Sequence, residues 1–125
     1  MRRVSLLFAL SLVAVACAPT PPVSAGTPLT DCELRVRFGS YASGIDREAL
    51  DRVRTALQAD ARTAGLSERP WGREGERDLC VAVRTQADAR ALVETARTAI
   101  PARSLNGYVD IDLAGERVFS TQQAR

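Results

Sequence analysis

Apolar and polar side chains alternate along three segments of the chain, and a period of two is typical of half-buried β-strands. The first segment covers residues 32–38, in which the apolar side chains on one face are Leu34, Val36 and Phe38. The second covers 79–83 and the third 108–113. Residues 66–71 show a weaker pattern, which we interpret as a short edge strand because Pro70 cannot donate a hydrogen bond to a neighbouring strand.

Two other segments repeat their apolar residues at the spacing of an amphipathic α-helix. The first helix is predicted to begin at a cap on Ser43 or Asp46 and to end at Gly65. Its predicted buried stripe consists of Leu50, Val53, Leu57 and Ala61. Thr85 is the predicted cap of the second helix, and Pro101 prevents its continuation. The stripe of the second helix consists of Leu92, Val93, Ala96 and Ile100.

The predicted elements follow one another as strand, helix, strand, strand, helix and strand. The simplest closure of this order is a ferredoxin-like α+β sandwich, with four antiparallel strands in the order 4-1-3-2 and both helices on one face. The last strand then lies beside the first, so Asp110 and Asp112 would face Arg35 and Arg37 on the uncovered side. A short extended segment, 117–119, follows a turn after the last strand.

The N-terminus has the pattern of an export signal. Arg2 and Arg3 are followed by an apolar run, 4–16, that contains no charged residue. Such a run behind a positive start is typical of a secretory signal and is too short to span a bilayer, which takes about 20 helical residues. Residues 1–16 are therefore predicted to be a signal peptide.

The end of this run, Ala14-Val15-Ala16-Cys17, resembles the lipobox of bacterial lipoprotein precursors, with Ala14 where Leu is commoner. The resemblance implies that Cys17 carries the lipid and becomes the mature N-terminus. It also implies an outer-membrane location facing the periplasm, because Ala18 stands where proteins retained in the inner membrane have Asp. The alternative is an ordinary secreted protein that is cleaved after Ala16 and keeps Cys17 as a thiol.

Residues 17–31 are predicted to tether the lipid to the rest of the chain. Four of the six prolines lie in this segment. Proline-rich sequence favours an extended spacer of about 3.1 Å per residue, which would separate the domain from the lipid by about 40 Å. Residues 32–125 would then form one small domain, which is a common domain size.

Composition restricts the possible chemistry. All 17 basic residues of the 125-residue chain are Arg, and the chain has neither His nor Lys. Histidine-dependent triads and zinc sites are excluded, and we predict no metal and no cofactor. Segment 39–44 lacks the Lys of a phosphate-binding loop and is interpreted as a turn.

The excess positive charge belongs to the export signal. The formal net charge of the whole chain is +2. Removal of Arg2 and Arg3 with the signal peptide would leave 15 Arg against 15 acidic residues. A neutral mature chain gives no indication of nucleic-acid binding.

The remaining cysteines allow two interpretations. Lipidation of Cys17 would leave Cys32 and Cys80 as a pair in an oxidising compartment, where a disulfide between them would contribute about 4 kcal/mol. The predicted antiparallel order argues against that bond, because it separates the two residues along the sheet and turns their side chains to opposite faces. A bond would require a slipped register or parallel strands, and both outcomes stay open.

The densest polar cluster of the chain spans 69–78 and contains its single Trp. In the predicted fold this cluster is the hairpin between the second and third strands. One hypothesis is a binding surface in which Trp71 stacks on a sugar or a peptide while Arg73, Glu74 and Glu76 supply hydrogen bonds. The alternative is a solvated turn whose Trp71 folds back over the edge of the core.

Asp110 and Asp112 form a second candidate site, since two carboxylates on one face of a strand lie about 7 Å apart, a spacing found in some hydrolases. Pairing with Arg35 and Arg37 is the simpler interpretation. The sequence therefore favours a non-catalytic envelope lipoprotein that binds a periplasmic protein or a cell-wall component such as peptidoglycan. The alternative is a small periplasmic hydrolase or accessory enzyme that uses Asp110 and Asp112.

Overall fold

A computed structural model describes residues 32–103 and 105–124. The predicted signal peptide, the predicted lipidation site Cys17 and the predicted tether lie outside the described residues. The strands are β1 (Leu34–Gly39), β2 (Thr63–Trp71), β3 (Glu76–Val83), β4 (Tyr108–Leu113) and β5 (Glu116–Ser120). The helices are α1 (Arg47–Ala59) and α2 (Gln86–Ala99), and a 3₁₀ turn covers Thr121–Ala124.

The five strands form one open antiparallel sheet in the order β2-β3-β1-β4-β5. The predicted order 4-1-3-2 is confirmed within this sheet, but the prediction of four strands is wrong. Ala114 and Gly115 form a two-residue turn in which both φ angles are positive, at 50° and 83°. Such a turn returns the chain directly into a hairpin, so β5 pairs with β4 and becomes the edge strand.

The boundary between α1 and β2 also differs from the prediction. α1 ends at Ala59, and Gly65 lies in β2 at a register shift against β3. The reversal occurs at Asp60, whose carbonyl accepts from Thr63 N at 3.0 Å and whose carboxylate accepts from Arg62 N at 3.0 Å. β2 therefore begins three residues earlier than predicted. Pro70 does lie on an edge strand, as predicted.

The core lies between one face of the sheet and the two helices. β1 contributes the three predicted apolar side chains, each at most 1% exposed. The same cluster contains residues of both helices and of β3 and β4: Leu50, Val53, Leu57, Leu92, Val93, Ala96, Leu79, Val81, Val109 and Ile111. Ala61 is exposed beyond the end of α1, so its predicted place in the stripe is wrong. Burial of each large apolar side chain contributes about 1.5–3 kcal/mol, so this cluster is the main source of stability.

Cys32 and Cys80 form a disulfide with their Cα atoms 5.5 Å apart, and the strands stay antiparallel. The expectation that the bond and the strand order exclude each other is therefore wrong. β3 begins at Glu76, earlier than predicted, so Cys80 lies in the middle of that strand opposite Arg35. A bend at Glu33 separates Cys32 from β1, so the side chain of Cys32 does not follow the alternation of side chains along the strand.

We predict that replacing Cys32 and Cys80 together by Ala lowers the free energy of unfolding by about 4 kcal/mol, since the bond joins residues 48 positions apart. Urea unfolding of both chains, with unreduced mass spectrometry of the parent, measures this loss. Reduction of the parent chain should reproduce it. Equal stability of the oxidised parent and the double variant would contradict the prediction.

Candidate functional site

The two ends of the sheet differ in what they carry. Cys32, through which the N-terminal part of the chain joins the domain, lies where β1 begins and is bonded to β3. Because neighbouring strands are antiparallel, the end of β1 at Gly39, the start of β4 at Tyr108 and the end of β5 at Ser120 lie together at the opposite end of the sheet. We call this opposite end the distal surface and define it by residues 40–44, 72–75, 100–103, 105–107 and 119–121.

Glu74 joins the loop after β1 to the hairpin between β2 and β3. The hydroxyl of Ser40 donates to the Glu74 carboxylate and accepts from the backbone N–H groups of Ala42, Ser43 and Gly44, at 2.9, 3.2 and 3.0 Å. Gly44 N also donates to Glu74 at 3.4 Å. The side chain of Glu74 is therefore used to hold the loop against the hairpin.

Glu76 has a similar internal role. It is only 8% exposed, and its Oε2 accepts from Glu74 N at 2.8 Å. The backbone of Gly72 passes so close that any side chain there would overlap the Glu76 carboxylate, and its φ of 68° also favours glycine. Both predicted ligand-binding glutamates thus stabilise the turn itself.

Trp71 lies on the sheet face that the helices leave uncovered, and not over the edge of the core. Its Nε1 donates to Asp78 Oδ1 at 2.8 Å, and the guanidinium carbon of Arg37 lies 5.7 Å from the ring centre. Arg73 is exposed, and no described residue pairs with its side chain. Trp71, Glu74 and Glu76 thus form contacts within the domain. Of the four residues predicted to form a binding surface, Arg73 is the one whose charged group has no partner among the described residues.

Asp46 fixes the loop that follows α2. It is the cap of α1 and accepts from Ala49 N at 2.9 Å. Arg103 donates to both of its carboxylate oxygens, at 2.8 and 3.1 Å, and Asn106 N donates at 3.1 Å. Chiefly because of the hydrogen bonds from Arg103, the pKa of Asp46 is lowered to about 2 in spite of its burial. This carboxylate therefore holds the loop against the start of α1.

A surface groove of about 530 Å³ lies beside that loop. It is bordered by Tyr41, Arg97, Ile100, Leu105, Phe119 and Thr121. The Arg97 guanidinium stacks over the Phe119 ring at 5.2 Å, and Tyr41 packs on Tyr108 with ring centres 5.6 Å apart. Arg97 is also paired with Glu94 at 3.0 Å. A groove with aromatic walls suits a peptide side chain or another small ring-containing group.

The groove was not apparent in the sequence, because Tyr41, Arg97 and Phe119 come from three distant segments. Tyr41 lies in segment 39–44, for which the sequence predicts only a turn. Phe119 lies in the strand that the predicted fold did not include. The scarcity of aromatic residues, 5% of the chain, was the one available signal, since three of them meet at this end.

The predicted position of β4 beside β1, with Asp110 and Asp112 facing Arg35 and Arg37, is confirmed. Arg35 lies opposite Asp112, and Arg37 lies opposite Asp110. Both arginines also reach Asp78 of β3, at 3.9 Å for Arg35 and 3.3 Å for Arg37. The uncovered face therefore carries alternating charges across its central strands.

Arg117 of β5 pairs with both β4 carboxylates, and the sequence did not indicate this partner. It lies 3.1 Å from Asp110 and 3.4 Å from Asp112. The hydroxyl of Ser120 donates to Asp110 at 2.6 Å, and Asp110 is 2% exposed. Both carboxylates thus have structural partners, and Asp110 is closed to solvent.

Within residues 32–103 and 105–124, no group of three or more acidic or cysteine side chains is arranged to hold a metal ion. None of the helices in that part of the chain is long and apolar enough to cross a membrane. Comparison of the chain with protein families, curated proteins and solved structures finds no match.

We predict that Asp46→Asn lowers the free energy of unfolding at pH 7 by about 2 kcal/mol, because Asn still caps α1 but loses the charged contacts to Arg103. The pKa of Asp46 falls from 3.8 to about 2 on folding, so its stabilisation is full well above pH 3.8 and disappears as the pH falls through 2. Urea unfolding of both chains from pH 7 to pH 2 should show the difference shrinking. Asp51→Asn, at an exposed ion pair with Arg54, is the control and should change stability by less than about 1 kcal/mol. A difference that does not depend on pH would contradict the prediction.

We predict that Asp110→Asn also destabilises the folded domain. The free energy of unfolding should fall by about 1–3 kcal/mol, since Arg117 loses its buried anionic partner. Asp112→Asn, whose side chain is 14% exposed, should cost less than about 1 kcal/mol. Denaturant unfolding measures both values, and an unchanged stability of Asp110→Asn would contradict this role.

Proposed function

We propose that this chain is a non-catalytic lipoprotein of the bacterial envelope, anchored by lipid on Cys17 and probing the periplasm with its folded domain. The distal surface binds a periplasmic protein or a cell-wall component. Residues 1–16 are the signal peptide, 17–31 are the tether, and the anchor lies in the outer membrane. The resemblance of residues 1–17 to lipoprotein precursors supports this proposal, and the disulfide is consistent with an extracytoplasmic location.

The observation that carries the proposal is the separation of the attachment point from the groove. Cys32 lies at the start of β1, whereas Tyr41 and Thr121 border the groove at the other end of the sheet. The length of β1, six residues, separates the two ends by roughly 17 Å. If the domain is attached to the membrane at the Cys32 end, its distal surface is the end that faces other molecules of the periplasm.

We infer that β1 to β4 and the two helices form a ferredoxin-like unit and that β5 is an addition at one edge. The strand order and the coverage of one face support this description. The addition matters for function because Phe119 and Thr121, at and just beyond the end of β5, border the groove.

We predict that a photocrosslinking amino acid at Tyr41 gives covalent adducts in living cells, since this position is 46% exposed at the groove. The same amino acid at Arg84, an exposed position at the end of β3 near the disulfide, is the matched control. Adducts should form from position 41 and be absent or much weaker from position 84. Denaturing gel electrophoresis followed by mass spectrometry measures them.

Absence of adducts from position 41, or equal yields from the two positions, would contradict the proposed binding surface. Release of the protein from membranes after Cys17→Ser would be expected from the proposed anchor. Retention of that variant in the membrane fraction would contradict the lipoprotein assignment and leave the groove result unaffected.

A further inference from the structure

The geometry points to a second contact area at the hairpin of the distal surface and next to it: we infer that Arg73 of the hairpin, together with Arg47 and Arg69 beside the distal surface, binds the carboxylates of peptidoglycan stem peptides. We call these three residues the arginine tip. This inference rests on the proposed function, since it assigns a ligand class to the same end of the domain. Around the hairpin, the carboxylates have partners within the domain, whereas these three arginines do not.

The acidic residues of the hairpin already have hydrogen-bond partners within the domain, although Glu74 itself is exposed. Glu74 accepts from Ser40 and from Gly44 N, and Glu76 is buried and accepts from Glu74 N. Asp78, directly opposite Arg69, is shared between Arg37 and Trp71 Nε1. The carboxylates of the hairpin are therefore engaged in hydrogen bonds within the domain, whereas its exposed arginines are not.

The arginines of the tip have no such partners. Arg47, Arg69 and Arg73 are exposed, and none of them pairs with a carboxylate in the described part of the chain. Arg47 lies against the turn, since a methyl group on Gly75 would be 3.7 Å from its Nη2. Arg77 lies at the same turn but is neutralised by Glu68 at 3.1 Å, so we leave it out of the tip.

The side-chain type indicates the ligand. A guanidinium offers a planar pair of N–H donors that matches the two oxygens of a carboxylate, and exposed contacts of this kind act together and weaken with salt. The predicted mature chain has no net charge, so attraction at the tip is local and does not come from a generally basic protein.

The position of the tip selects the source of the carboxylates. The length of β1 separates the tip from Cys32, and in the proposed function a tether of about 40 Å, if extended, precedes Cys32. That distance directs the tip away from the anchoring membrane. Peptidoglycan is the anionic polymer expected on that side of the domain, and its stem peptides carry the free carboxylates.

The test is cosedimentation of the protein, purified from the envelope in neutral detergent, with isolated peptidoglycan sacculi. Arg69→Ala together with Arg73→Ala should lower the bound fraction at least about fivefold, the effect of two exposed charged contacts. Arg84→Ala together with Arg90→Ala is the matched control. These two arginines are also exposed and without a carboxylate partner among the described residues, but they lie towards the disulfide end. The control should bind like the parent, and thermal unfolding should show that all three chains fold.

Two further arms identify the ligand chemistry. Sacculi whose carboxylates have been converted to amides should lose binding to the parent, and Arg73→Lys should retain part of the binding because it keeps the charge but not the paired donors. Vesicles containing phosphatidylglycerol should bind the parent no better than neutral vesicles.

Equal loss of binding in the two double variants, unchanged binding to amidated sacculi, or preferential binding to the anionic vesicles would overturn the inference. Protein adducts at position 41 without any binding to sacculi would overturn this inference and leave the proposed function in place. The absence of both adducts and binding would overturn both.

Discussion

The rest of the structure depends on the position of β1 at the centre of the sheet. This strand is hydrogen-bonded to β3 on one side and to β4 on the other, so it sets the register of both. Its apolar side chains enter the core, and Arg35 and Arg37 point to the uncovered face. A shift of one residue would place both arginines under the helices and expose the three apolar side chains, which no surface ion pair could offset.

β1 also gives the domain a direction. The disulfide holds Cys32 at the start of the strand, and the loop after Gly39 lies at the other end with the groove and the hairpin turn. The charged groups of the distal end have two different roles. Those of Asp46, Glu74 and Glu76 hold its loops together, whereas the residues of the arginine tip are exposed and have no carboxylate partner among the described residues. Because the internal bonds fix the loops, both candidate contact areas are preformed.

Local patterns predicted the elements well, and contacts between distant segments account for what they missed. Alternation in residues 34–38 and 108–113, together with the predicted strand order, was sufficient to place Asp110 and Asp112 beside Arg35 and Arg37. β5 was predicted only as a short extended segment, 117–119, and not as a strand of the sheet, because it is short and its bulge interrupts the alternation. The disulfide was misjudged because an error of three residues in the start of β3 moved Cys80 along the sheet. The groove could not be predicted, since its walls are adjacent only after β5 and the loop held by Asp46 are in place.

The central claim is that ligands bind at the distal surface and not near the disulfide. Chemical-shift mapping of the ¹⁵N-labelled protein during titration with soluble peptidoglycan fragments tests it most directly. We expect shifts confined to the distal surface and to Arg47 and residues 69–71 beside its hairpin, with the indole N–H of Trp71 as an internal reporter. Shifts concentrated at residues 62–66, 84–90 and 114–116 would show that the opposite end binds, and would contradict the account.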